Sequence, residues 1–311
     1  MHTRQTWWTG AAAALSIVLV APAVGAQRGD PREQHAFATV TDRKGNAIAG
    51  LGVADFSVTE DGVKREVLRV EPAAAPLQVV LLLDSSDTVR SNGHDATHDV
   101  RLAATAFINA VFDANSLSQM ALYTFGERPT PVAPFASTPI PILRAAANFF
   151  PAQGSGAYFN EAVRDAARAL VKIDARRPVI VAYVDENGPE FSNIDHTRVA
   201  QELQSSRAAL WTVSEPDRNA ANAGLGNPID DTARRERSTI INDLTSESGG
   251  QNTQVFVTTT LANTFTQVAQ LLASQYDITY ARPESLVPPK KVEVSTSRRD
   301  TKLLAPHWGG K

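Results

Sequence analysis

Asp84, Ser86 and Thr88 stand at alternate positions directly after the apolar run Val79 to Leu83, and Asp185 closes a second apolar run, Val179 to Val184. In an extended turn alternate side chains face the same way, so Asp84, Ser86 and Thr88 present three oxygens to one point. A hard divalent cation, Mg²⁺ before Mn²⁺ or Ca²⁺, accepts such oxygens and leaves its other positions to water. Neutral hydroxyls leave the ion under-neutralised. It then takes a carboxylate from a partner, which makes a docking site and not a catalyst.

Other chemistries fit less well. An aspartate nucleophile of the phosphotransfer type needs a second Asp two residues on as acid and base, and Ser86 stands there. His94 and His98 are spaced i, i+4, which on a helix begins a zinc site. Asp95 occupies the place of the protease glutamate, no third ligand is evident, and a solvated helix start accounts for the pair. Gly154-Ser155-Gly156 lacks the lysine and spacing of a phosphate-binding loop, and the chain has no nucleophile elbow. We expect no enzyme.

The elements that must position these residues alternate. Continuous apolar strands end at Asp84 and Asp185, as in strands covered on both faces. Helical spacing marks 100–112, 159–172, 198–207, 232–245 and 261–274. Further strands are read at 119–125, 209–213 and 253–257. The pattern predicts an α/β fold with a doubly wound, mainly parallel sheet, whose ligands bind beyond the carboxyl ends of its strands. On either side lies short alternating text broken by Asp61-Gly62 and Gly45-Asn46, which reads as antiparallel β-structure. The expected organisation is a β-module at 36–75, the α/β domain at 77–275, and a β-tail at 276–311 that pairs with the first module.

The segment Val79-Val80-Leu81-Leu82-Leu83-Asp84-Ser85-Ser86-Asp87-Thr88 resembles the first strand and Asp-x-Ser-x-Ser motif of von Willebrand factor type A (VWA) domains, with Thr88 where the family usually has serine. Val40 to Gly45, Asp55 to Gly62 and Ser274 to Tyr280 extend the resemblance to exported bacterial VWFA-related proteins. It implies a metal-ion-dependent adhesion site in which Asp185 joins Asp84, Ser86 and Thr88 as a ligand. It also places Ala157 where the family has a threonine ligand on a second loop. Ser155 substitutes only if that loop shifts by about two residues, a freedom its flanking glycines supply. Glu186 replaces the glycine usual after the aspartate.

The first 26 residues carry Arg4, a short apolar run from Ala11 to Val20, and small residues up to Ala26. They read as a secretory signal cleaved near Ala26 and are short for a membrane span. The expected location is extracytoplasmic, periplasmic or secreted, with no transmembrane segment in the mature chain. Without Arg4 the chain carries 29 Lys and Arg against 33 Asp and Glu, so nucleic acid is not expected as a partner. The chain has no cysteine, which excludes disulfides and thiolate metal sites. The function these features imply is an exported module that binds a protein or peptide ligand through a divalent cation. The alternative is a metal-independent scaffold of the cell envelope.

Overall fold

Why the chain folds as it does is clearest in β5 (Gln78–Leu83) and β8 (Pro178–Asp185). Val79 to Leu83 and Val179 to Val184 are all buried, because β5 and β8 lie side by side, in parallel register, at the centre of a sheet covered on both faces. The computed structural model describes residues 32–90, 95–217, 228–283, 289 and 291–308. The signal reading at 1–26 and His94 lie outside them.

The central sheet has the order β10-β9-β8-β5-β6-β7, with β6 (Gln119–Thr124), β7 (Thr130–Ala136), β9 (Ala209–Glu215) and β10 (Asn252–Gln254). All pairs are parallel except β6 with β7. One face packs α1 (Thr97–Ala114), α2 (Pro139–Ala147) and α7 (Leu261–Ala273) around Phe107, Phe265 and Trp211. The other packs α3 (Phe159–Lys172) and α4 (His196–Ser206) around Phe159, Val163 and Leu203. Helix α5 (Pro228–Thr239) runs through a π turn (Ile240–Leu244) into the short α6 (Thr245–Glu247). The sheet is thus doubly wound and mainly parallel.

Two elements escaped the sequence reading. Strand β7 contains Pro131 and Pro134, which fit only an edge where their missing N–H groups are not needed, and α2 follows it. The strand expected at 253–257 is shorter: β10 ends at Gln254, and Phe256 and Val257 are exposed.

A second, antiparallel body has its own core of Val40, Phe56, Val58, Tyr276, Ile278 and Val294. One sheet has the order β13-β1-β11-β4, from β1 (Arg32–Thr41), β4 (Val67–Pro72), β11 (Tyr276–Arg282) and β13 (Lys302–Leu304). The other pairs β12 (Val292–Thr296) with β2 (Phe56–Glu60), which pairs in turn with β3 (Val63–Arg65). Strands from both sides of the α/β unit therefore share sheets. Where the chain enters and leaves that unit, the buried Arg177 donates to the carbonyls of Ala73, Ala75 and Leu272 and to Gln275 Oε1, and it lies over the Phe37 ring.

Candidate functional site

Asp84 is the first residue beyond β5, and its N–H donates to Tyr183 O at 3.1 Å, prolonging the ladder by one step. Its carboxylate then serves two backbones. Oδ1 accepts the Ser86 N–H at 2.9 Å, closing an Asx turn, and Oδ2 accepts the Asp185 N–H at 3.0 Å. The hydroxyls of Ser86 and Thr88 lie 3.1 Å apart. Asp185 Oδ1 accepts the Asn187 N–H at 3.0 Å and its side-chain amide at 2.7 Å. The four residues singled out from the sequence thus come together at the carboxyl ends of β5 and β8.

The site is buried and acidic. Asp84, Ser86 and Asp185 are buried and Thr88 is half-buried. Burial first, and the charge of Asp185 second, push the Asp84 carboxyl up to about 7, against the hydrogen bonds from Ser86 and the Asp185 N–H. Beside it, burial raises Glu186, whose Oε1 has no hydrogen-bond partner among the described residues.

The second loop does not complete the set. Ala157 is fully buried, with its N–H on Pro189 O and its carbonyl on the Phe191 N–H. The Ser155 hydroxyl donates to Ala152 O at 2.8 Å, and its carbonyl takes the Asp87 N–H. That loop supports the motif through backbone and brings it no hydroxyl. His98 is exposed in the first turn of α1, and no group of three or more His, Asp or Glu suited to a metal occurs among the described residues. The all-oxygen set of Asp84, Ser86, Thr88 and Asp185 suits a hard cation whose remaining positions go to water.

Sequence reasoning missed what holds the loop after β8. Arg237 on α5 is 2% exposed and donates to the carbonyls of Glu186 at 2.6 Å and Gly188 at 3.0 Å. A Cβ at Gly188 would sit 2.8 Å from Thr88 Oγ1, so only glycine lets this loop close on the motif. Buried Glu190 accepts the N–H groups of Phe159 and Ser192, tying the same loop to α3. In the sequence Arg237 sits in the run Arg234-Arg235-Glu236-Arg237, which reads as a solvated helix face.

Residues 78–232 match the family model of the von Willebrand factor type A domain. The chain carries a VWA domain. Among solved structures, proximal thread matrix protein 1 from the mussel byssus aligns at 12% identity and a TM-score of 0.50, over 69% of this chain and 50% of that one. A form of that mussel protein with a zinc-occupied MIDAS motif aligns at 9% identity and a TM-score of 0.48, over 64% and 48%. The vWF domain of the type V pili tip protein Mfa5 from Porphyromonas gingivalis aligns at 10% identity and a TM-score of 0.46, over 64% and 95%. The chain therefore spans about half the length of the mussel protein. At these identities the likeness is one of fold. A search of curated proteins returns no match. Among the described residues no helix is long and apolar enough to cross a membrane.

Proposed function

We propose that this protein is an exported, non-enzymatic interaction module that binds a protein or peptide ligand at the carboxyl edge of the VWA sheet through a divalent cation. Asp84, Ser86, Thr88 and Asp185 would hold the ion, Mg²⁺ before Mn²⁺ or Ca²⁺, and the ion would take a carboxylate of the ligand. The observation that carries this reading is the meeting of two buried carboxylates, linked through the Asp185 N–H, with a hydroxyl pair at one end of the sheet. Burial and the neighbouring Asp185 disfavour the charged form of Asp84, and a bound cation would supply the countercharge that the pair lacks. We further take 1–26 as a signal, 36–75 and 276–311 as one β-body, and 77–275 as a domain inserted into it. The location that follows is periplasmic or secreted.

Ala157, and the Ser155 hydroxyl engaged with Ala152, favour a second reading: a metal-independent scaffold that keeps the VWA frame and binds elsewhere. Thermal melts separate the two. A ligand of the folded state alone raises apparent stability, so wild type in Mg²⁺ or Mn²⁺ should melt above wild type in EDTA, and Asp84→Ala should not respond. A wild type indifferent to chelator and metal would leave the scaffold. A pull-down from envelope extract with and without chelator then tests the ligand.

A further inference from the structure

The second loop, which brings no hydroxyl to the motif, forms one wall of a pocket beside it. This pocket of about 240 Å³ is lined by Glu127, Gln153, Ser155, Tyr158 and Phe191 with neighbouring glycines. Two contacts set it against the motif: Gly126 N–H donates to Ser85 Oγ at 2.9 Å, and Ser155 O accepts the Asp87 N–H at 3.2 Å. Gly126 and Ser155 both line the pocket, so it borders the segment that carries Asp84, Ser86 and Thr88.

Two rings and one carboxylate give it its chemistry. The Tyr158 and Phe191 rings are tilted at 57° with centroids 6.1 Å apart. Phe191 is 47% exposed and Tyr158 is half-buried, so ring surface stays open to solvent. A Cβ at Gly156 would come within 2.3 Å of the Phe191 ring, and only glycine there lets the ring lie against the loop. The Phe191 N–H donates to Ala157 O at 2.7 Å, which fixes the backbone beneath that ring. No lysine or arginine lines the pocket, and its one charged group is the exposed Glu127 carboxylate. Among the described residues that carboxylate has neither an ion pair nor a hydrogen bond, and the Gln153 amide and the Tyr158 hydroxyl have no hydrogen bond. Aromatic faces beside a carboxylate attract a planar cation, since a guanidinium stacks on a ring and forks onto the two oxygens. An apolar group there would cover Glu127 without a countercharge, and an anion would be repelled.

We propose that this pocket takes an arginine side chain of the protein or peptide ligand, which stacks on the exposed rings and pairs with Glu127 while a nearby carboxylate of the same ligand goes to the cation. The volume is below the roughly 300 Å³ at which pockets for drug-sized ligands begin, so it suits one side chain and not a cofactor. The ligand thus carries a base and an acid close together. The placing of the acid rests on the cation reading above, and the arginine site does not.

The test is titration of the full chain, in Mg²⁺ and in EDTA, with acetyl-arginine amide, acetyl-citrulline amide, and peptide amides that join arginine to aspartate through glycine spacers of increasing length. Acetyl-arginine amide should shift the ring resonances of Tyr158 and Phe191 saturably in both media. Citrulline, which keeps the shape and loses the charge, should not. In Mg²⁺ the best joined peptide should bind about tenfold or more tightly than acetyl-arginine amide, an advantage that EDTA abolishes. Glu127→Gln, an exposed change, should weaken arginine binding about threefold and keep the Mg²⁺-induced rise in melting temperature. No saturable shift with arginine, equal binding of citrulline, or undiminished binding by Glu127→Gln would each overturn the proposal. So would a wild type that melts higher in Mg²⁺ and yet gives no joined peptide an advantage. A wild type whose melting ignores Mg²⁺ while arginine still binds would remove the cation reading and keep the arginine site.

Discussion

Asp84 Oδ2 accepts the backbone N–H of Asp185 at 3.0 Å, so the two aspartates at the ends of β5 and β8 are fixed to one another before any ligand arrives. Removing the Asp84 carboxylate should therefore do two things at once. Asp84→Ala should lose the metal-induced stabilisation, about 2.7 kcal/mol at a hundredfold excess over Kd in wild type. It should also loosen the loop after β8, seen as faster amide exchange at residues 185 to 188.

In chelator, Asp84 makes stability depend on pH. Its carboxyl rises from the ordinary 3.8 to about 7 in the fold, chiefly through burial. The folded state keeps a proton that the unfolded chain has lost, so stability should fall as pH rises from about 4 to about 7 and level off above. The size is on the order of 4 kcal/mol at most. Asp84→Asn should flatten that slope in urea melts across the range. An unchanged slope would mean that another group sets it.

Ala157→Thr tests the empty place in the second loop. A hydroxyl there should strengthen cation binding, measured by calorimetry with Mn²⁺. Because Ala157 is fully buried, the larger side chain should cost about 1–3 kcal/mol in chelator. Equal Mn²⁺ affinity in both proteins would show that position 157 does not face the ion.

Arg237→Met keeps the bulk of the side chain and removes its donors to Glu186 O and Gly188 O. Leaving two carbonyls without partners should destabilise the protein by about 2–4 kcal/mol in denaturant melts. Cation binding should weaken as well.

Gly188→Ala should cost about 1–3 kcal/mol and weaken cation binding, since the new methyl would meet Thr88 Oγ1 at 2.8 Å. Retained Mn²⁺ affinity in this variant would place Thr88 outside the ligand set.

The doubly wound sheet was legible because its central strands are apolar on both faces, and a run such as Val79 to Leu83 has no other stable setting. What holds the loop after β8 was less so. Arg237 looks solvated in one dimension because its helix is charged all along, and only the fold shows which charge turns inward. Strand β7 hid behind its prolines, and Phe256 and Val257 looked like strand because β-branched and aromatic residues mark an exposed loop as readily as a sheet edge when packing is unknown.

Arg177 grips the incoming segment at Ala73 and Ala75 and the outgoing one at Leu272 and Gln275 with a single guanidinium. Tension applied across the flanking β-body would cross the VWA domain at this staple and at the adjoining Ala73 N–H to Gln275 O bond, which continues the pairing of β4 with β11. The load would pass between neighbouring segments at the base of the sheet instead of running through β5 and β8, so the end that carries Asp84 and Asp185 would be mechanically shielded.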